Sequence, residues 1–349
     1  MKRVGLFLIL FLLTGCYDYN ELTDLSVVSS MFIDYKDSEY VVNLEILNTS
    51  KNEEPSYFLE GSGKTFELAL NDAYNKSSKH IYLSHLNIVV VSNSIAKYKM
   101  DNLYDYFLRD ADARKDSYFL MCDNNNFKKF VADNKKSIGE SIKDTVEYNI
   151  KENGTFATSK FSQILNSYLN KKTYVLGSID LTDGEVLLKD VYLVTDDKLD
   201  TKLDRGCILL YNLIYSLTPV SFVFEYDNNI YEVYRYKLDK KIDYEKIDID
   251  IKCEIRFLSV DGIHSADSKD IVNLSSNLNE HLKNYFQSMI DYSKKIDSDI
   301  YNFDNLYYKY EPELYTDGIW KNLNYQVEVK TSINEKGLIL GTLEDVINE

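Results

Sequence analysis

An α+β fold is predicted for this chain from three observations. Two stretches of strict apolar–polar alternation lie near the C-terminus, a long amphipathic helix separates them, and a Val- and Ile-rich hairpin stands near the N-terminus. The length of 349 residues, 44% of them hydrophobic and 13% aromatic, suggests two or three domains of roughly 150 residues each.

Leu25 to Ile33 and Tyr40 to Leu47 read as two strands joined by the polar turn Lys36-Asp37-Ser38-Glu39. Thr65 is placed to cap a helix in which Phe66, Leu68, Ala69, Leu70 and Ala73 make one apolar face. Asn87 to Val91 is a short buried strand, Met100 to Arg109 a helix and Tyr118 to Cys122 a further strand. Helices follow near Phe127 to Val131 and over Ile138 to Ile150. This first part is a mixed α/β unit. Phe161, Ile164, Leu165, Tyr168 and Leu169 recur at helical spacing, and Glu185 to Val194, Ile208 to Ile214 and Val220 to Tyr226 look like strands. Thr195 to Arg205 is charged and polar, and is read as a soft boundary or an exposed turn.

The last third is the most regular. Ile247, Ile249, Ile251, Cys253, Ile255 and Phe257 alternate with polar residues, which marks a long strand with one buried face. A helix begins near Asp270 and carries Ile271, Leu274, Leu278, Leu282, Tyr285, Phe286, Met289 and Ile290 on one side, ending near Ile296. Tyr325, Val327, Val329, Thr331 and Ile333 alternate again before a turn at Gly337. A sheet with a long helix packed across it is what these parts build.

The N-terminus carries a processing signal. Met1-Lys2-Arg3 is basic, Val4 to Leu13 is apolar apart from Gly5, and Thr14-Gly15-Cys16 follows. The run is shorter than the roughly 20 residues that cross a hydrocarbon core, but it suits the apolar part of an export signal. The small residues let a peptidase close around the backbone, and the Cys16 thiol is the nucleophile for lipid attachment, as in a bacterial lipobox. Two acyl chains at about 0.8 kcal/mol per methylene would anchor the protein by something on the order of 20 kcal/mol. Residues 1–15 are thus assigned to the leader, and 16–22 to the lipidated cysteine and its tether.

Charge is consistent with an anchor. With 40 basic and 56 acidic residues the net charge is −16, and loss of Lys2 and Arg3 makes the body more negative still. Anionic lipid and nucleic-acid phosphate both repel such a body, so nucleic acid is not expected as a partner and membrane residence has to come from the lipid. Beyond Cys16 the cysteines are Cys122, Cys207 and Cys253, an odd number beside apolar runs, and they read as small buried hydrophobes. The thirty tyrosines are read as a compositional skew, not a ligand platform.

Other motifs carry little chemistry. Gly61-Ser62-Gly63-Lys64-Thr65 matches the end of a phosphate-binding loop, but Phe58 stands where the first glycine is needed and no apolar strand leads in, so the glycines are read as a turn before a helix. His80 and His85 have no cysteine or carboxylate cluster nearby and are read as structural, and no metal or other cofactor is expected. Arg109-Asp110-Ala111-Asp112-Ala113-Arg114 ends a helix with a charged knot, of which Arg109, Asp110 and Arg114 form a candidate interface or structural cluster. Trp320 anchors a core edge beside Tyr315. No nucleophile elbow and no carboxylate pair of catalytic spacing stands out, so no enzymatic activity is expected.

Taken in order, these residues resemble the Ger(x)C family, the lipoprotein C subunit of bacterial spore germinant receptors. The resemblance runs through Gly15-Cys16-Tyr17-Asp18, Glu21-Leu22, Ile33-Asp34, Gly63-Lys64-Thr65 with Ala69, Ile81-Tyr82-Leu83-Ser84-His85, and Phe107-Leu108-Arg109-Asp110 with Arg114. It continues through the long helix, Asp299, Pro312, Trp320, Gln326 to Ile333 and Gly337. Tyr17 departs from the tryptophan usual after the lipid cysteine, though either ring suits a membrane interface. The middle third matches least.

The resemblance implies about three mixed α/β domains, arranged as an N-terminal Ger(x)C region over 23–195, divisible near 135–155, and a C-terminal domain over 196–349. It also implies a non-enzymatic subunit working with integral membrane A- and B-type receptor subunits on the outer face of the spore inner membrane, in nutrient-triggered germination. Cys16 is the functional residue that carries over. Competing readings are an exported solute-binding lipoprotein serving a transporter, or a cell-envelope hydrolase with a cleft of perturbed carboxylates.

Overall fold

The computed structural model describes residues 24–48, 56–98, 100–110, 113–122, 137–170, 172–182, 185–195, 198–215, 220–259 and 268–333. The leader with Cys16, the tether, the helix expected near Phe127 to Val131 and the turn at Gly337 lie outside these residues.

Strands β1 (Leu25–Lys36) and β2 (Glu39–Leu47) form the expected antiparallel hairpin. Its two turn residues, Asp37 and Ser38, have φ of 53° and 68°, the left-handed pair that matches the twist of a tight hairpin. β3 (Ser56–Gly63) adds to β2, and β4 (His80–Tyr82) pairs parallel with the start of β1. β5 (Ile88–Val91), β6 (Tyr118–Cys122) and β7 (Tyr174–Thr182) extend the sheet in parallel from β1, and β8 (Glu185–Thr195) and β9 (Lys198–Lys202) close it antiparallel. Along its main path the sheet has the order β3-β2-β1-β5-β6-β7-β8-β9.

Period-2 alternation in the central strands feeds two separate cores. Met31, Ile33, Val89, Val91, Phe119, Met121 and Leu176 face one side, where α1 (Phe66–Tyr74), α2 (Asn93–Tyr98), α3 (Met100–Arg109) and α5 (Phe161–Leu169) cover them. Phe32, Ile88, Val90, Leu120, Cys122 and Val175 face the other side, against α4 (Ile138–Asn153) and α6 (Arg205–Tyr215). A sheet covered on both faces needs apolar residues at both parities, so these strands read as continuous apolar runs.

The second core continues into a smaller sheet, β10 (Phe222–Tyr226), β11 (Asn229–Asp243), β12 (Lys246–Ser259) and β13 (Asn324–Ile333). Ile247, Ile249, Ile251, Cys253 and Ile255 are buried, as their spacing predicts. β12 and β13 run parallel, so the chain must cross over between them, and α7 (Ser268–Lys295) is part of that crossover. Leu278, Leu282, Phe286 and Ile290 of α7 face the sheet. The α+β expectation holds. Cys122, Cys207 and Cys253 are buried.

Three local readings are corrected. Ile208 to Ile214, expected as a strand, lies within the helix α6. Every residue from Gly206 to Ile214 is buried, because α6 is a wedge touched by the loop after α4, by β11 and by α7. A helix buried all round loses the 3.6-residue stripe that would reveal it.

The polar segment Thr195 to Arg205 is not simply a turn, since β9 adds an edge strand there. Its charged side chains suit an edge strand and hid it from a hydrophobic reading. Finally, Gly61 and Gly63 stand in strand β3, not in a turn. A Cβ on Gly61 would lie 2.1 Å from the Ala69 carbonyl oxygen and 2.4 Å from the Ala73 nitrogen, so the missing side chain is what lets α1 lie on the strand. Thr65 caps α1 as expected, accepting from the Leu68 amide at 3.3 Å.

Candidate functional site

The knot at the end of α3 is opened out by the fold. Arg109 is exposed and pairs with Asp105 one turn earlier, Nη2 to Oδ1 at 3.0 Å. Asp110 holds the turn leading to β6: its Oδ2 accepts from the Tyr106 hydroxyl at 2.6 Å and its Oδ1 from the Ala113 amide at 3.2 Å. Arg114 reaches elsewhere, donating to Asn87 Oδ1 at 3.0 Å and lying 3.7 Å from Asp116. Lys115 ties the segment together by donating to the carbonyls of Phe107 and Asp110. Its burial pulls the ammonium below the usual lysine range. Asp110 and Arg114 therefore hold one loop from two sides, while Arg109 faces solvent. His80 and His85 are both exposed, and no group of three or more metal-ligating side chains occurs among the described residues.

More charge is buried where the sequence reading did not look. Glu45 is wholly buried in β2. Its Oε1 accepts from the Ile138 amide at 2.7 Å and Ser56 Oγ at 2.8 Å, and its Oε2 from Ser30 Oγ at 2.6 Å and the Gly139 amide at 2.9 Å. Four donors replace the water a carboxylate needs, and two of them are free amides at the N-terminus of α4, where the helix dipole favours negative charge. Glu45 thereby pins α4 beneath the sheet.

The second buried constellation joins the two sheets. Lys172, just before β7, donates to Asp304 at the start of α8 (Phe303–Tyr310), with the two side chains 16% and 4% exposed. Asp304 also accepts from the Tyr315 hydroxyl at 2.8 Å and the Trp320 amide at 3.4 Å. Asp299 accepts from the amides of Phe303 and Asp304 at 2.9 and 2.8 Å, capping α8 from outside. Thr173 Oγ1 donates to the Asp299 carbonyl at 2.7 Å, a further tie across the same junction. Burial pushes the Asp299 carboxyl up to about 7, against the two amides that favour its charged form. Burial alone would lower the Lys172 ammonium, but its hydrogen bonds to Asp304 and Tyr315 outweigh this and the net direction is up. Trp320 is buried here, and Tyr315 reaches it through their shared partner, Asp304.

Where α4, α6, α7 and β10 meet, a cavity of about 380 Å³ opens, and a second of about 430 Å³, lined from β8, β9 and α6, shares Asn153, Thr155 and Arg205 with it.

Comparison with known proteins decides the family. Residues 18–181 match the family described as "Spore germination protein N-terminal domain", and residues 192–337 match "Spore germination B3/GerAC like, C-terminal". The chain belongs to the Ger(x)C family. This Ger(x)C chain is 26% identical over 232 residues to "Spore germination protein KC" of Bacillus subtilis (strain 168), covering 57% of this chain and 56% of that one. It is 27% identical over 126 residues to "Putative spore germination protein YfkR" of the same organism, covering 33% of each.

The chain therefore spans about half, or less, of the length of these curated relatives. The solved structure "Crystal Structure of the GerBC protein" shares the fold, with a TM-score of 0.52 over 87% of this chain and 96% of that one at 12% identity. Membership places the chain in a family of spore germinant receptor C subunits, which does not favour the solute-binding alternative. Among the described residues of this Ger(x)C chain, no helix is long and apolar enough to cross a membrane.

Proposed function

We propose that the chain is the lipid-anchored, non-enzymatic C subunit of a spore germinant receptor. A lipid on Cys16 holds it at the outer face of the spore inner membrane, where it acts with integral membrane A- and B-type subunits in nutrient-triggered germination. The observation that carries the reading is one of order: two consecutive spore germination domains, 18–181 and 192–337, begin directly after the basic, apolar, small-residue and cysteine sequence ending at Cys16. The division into an N-terminal region over 23–195 and a C-terminal domain over 196–349 belongs to the same proposal. A non-enzymatic role is supported by the buried carboxylates Glu45, Asp299 and Asp304, which are engaged with backbone amides and, for Asp304, with Lys172.

Cys16→Ala tests the anchor. Fractionated spores are expected to lose the variant from the membrane, and mass spectrometry of the wild-type protein is expected to find the leader removed and the thiol acylated. A variant still fully membrane-bound, or an unmodified thiol, overturns the anchored reading. Pull-down of the wild-type protein from solubilised spore membranes is expected to bring the integral membrane subunits with it, and their absence overturns the receptor assignment.

A further inference from the structure

The cavity of about 380 Å³ has the composition of a small-molecule site. Its floor is apolar, made by Leu209 of α6, Phe222 of β10 and Leu282 of α7. One side is an aromatic wall in which Phe224 stacks on the His281 imidazole at 18° between planes, with centroids 6.1 Å apart. The lining also carries polar groups, Arg205 at the first turn of α6 and Tyr285 on α7.

Among the described residues, these polar groups are uncommitted: Arg205 forms no ion pair and its guanidinium donates no hydrogen bond, nor do the Tyr285 hydroxyl and the His281 ring find a hydrogen-bonding partner. Elsewhere in the molecule charged side chains are widely paired, even at the surface, as with Lys202 and Asp190 in the adjoining cavity at 2.7 Å. Tyr285 rests against the start of α6, next to Arg205: a Cβ on Gly206 would lie 2.7 Å from the Tyr285 hydroxyl and 2.6 Å from Met289 Sδ. A planar guanidinium beside a phenolic hydroxyl is a fork that suits a carboxylate, and the apolar floor suits a hydrocarbon or aromatic body attached to it.

We propose that this cleft is a binding site for a small carboxylate carrying an apolar or aromatic body, with Arg205 and Tyr285 holding the carboxylate and Leu209, Phe222, Leu282 and the Phe224–His281 pair enclosing the rest. Burial supports the assignment by pushing the His281 imidazole below its ordinary value, so at neutral pH the stacked ring is uncharged and the fixed positive charge of the cleft is that of Arg205. Glu225 also lines the cleft and offers a place for an ammonium group, should the carboxylate be that of an amino acid. The site is independent of lipid attachment and of any partner subunit, so its failure would leave the receptor reading intact, and failure of that reading would leave the site.

The test is calorimetry and ligand-detected NMR on the purified full chain with three probes: 3-phenylpropanoate, its neutral amide and phenylalanine. At least one of the two carboxylates is expected to bind, with the amide at least tenfold weaker. Arg205→Leu is expected to cost at least tenfold, whereas Arg205→Lys retains part of the affinity, and thermal unfolding checks that both variants fold, as the exposed position of Arg205 predicts. Preference for phenylalanine, reduced by Glu225→Gln, extends the proposal to amino acids. Amide binding equal to that of the carboxylates, binding indifferent to Arg205→Leu, or no binding of either carboxylate at 10 mM overturns it.

Discussion

Replacing Lys172 by methionine removes one half of the buried clasp and leaves the Asp304 carboxylate without a countercharge. At 4% exposure the Asp304 side chain has almost no access to water, and its remaining partners are the Tyr315 hydroxyl and the Trp320 amide. Removing one member of a buried ion pair costs about 3–5 kcal/mol, and the two surviving donors put this case near the lower end, about 3 kcal/mol. Because the clasp joins the segment before β7 to the start of α8, the loss falls on the junction of the two sheets. Urea unfolding of wild type, Lys172→Met, Asp304→Asn and the double variant closes a cycle. The double variant is expected to recover about 2 kcal/mol relative to the sum of the single losses, because neither charge is then stranded. A loss below about 1 kcal/mol for Lys172→Met, or additive energies around the cycle, refutes the reasoning.

The remaining expectations rest on other parts of the fold. Asp299→Asn tests linkage: the unfolded carboxyl releases its proton near 3.8 and the native one near 7, so its stabilising effect is full below about pH 4 and is lost as pH rises through about 7. The stability advantage of wild type over Asp299→Asn should therefore shrink by up to about 4 kcal/mol between pH 4 and 8, measured as urea midpoints, and a constant difference refutes it. Glu45→Leu strands the Ile138 and Gly139 amides and should cost at least about 2 kcal/mol in thermal unfolding, with accelerated hydrogen exchange along α4; unchanged exchange refutes the pin. Gly61→Ala forces a methyl group into the backbone of α1 and should lower stability by about 1–3 kcal/mol, whereas a neutral outcome contradicts the close approach.

Much of the architecture was legible because local pattern and burial agree. The alternating isoleucines of β12, the one-sided α7 and the Asp37-Ser38 hairpin each declare themselves by period or turn chemistry, and each stands where its pattern puts it. Reading failed where burial is isotropic or where the exposed side is charged. α6 is apolar on every face and so carries no period, and β9 is a polar edge strand without one. The candidate site was harder still. Lys172 sits in an ordinary polar stretch with nothing in its neighbours to mark it, and Arg205 closes the polar segment from Thr195 that reads as a boundary or exposed turn. For Glu45 a signal existed, a lone carboxylate within the apolar run Val41 to Leu47, but two of its four donors, the Ile138 and Gly139 amides, lie more than 90 residues away.

Sequence alone determined most of the element order, the acidic charge balance and the basic, apolar, small-residue and cysteine order ending at Cys16, since these follow from neighbours along the chain. Tertiary structure decided which charges are buried, which pairs tie the sheets and where a cleft opens. Those depend on contacts such as Lys172 to Asp304 and Gly206 to Tyr285, which packing creates between residues far apart in the chain.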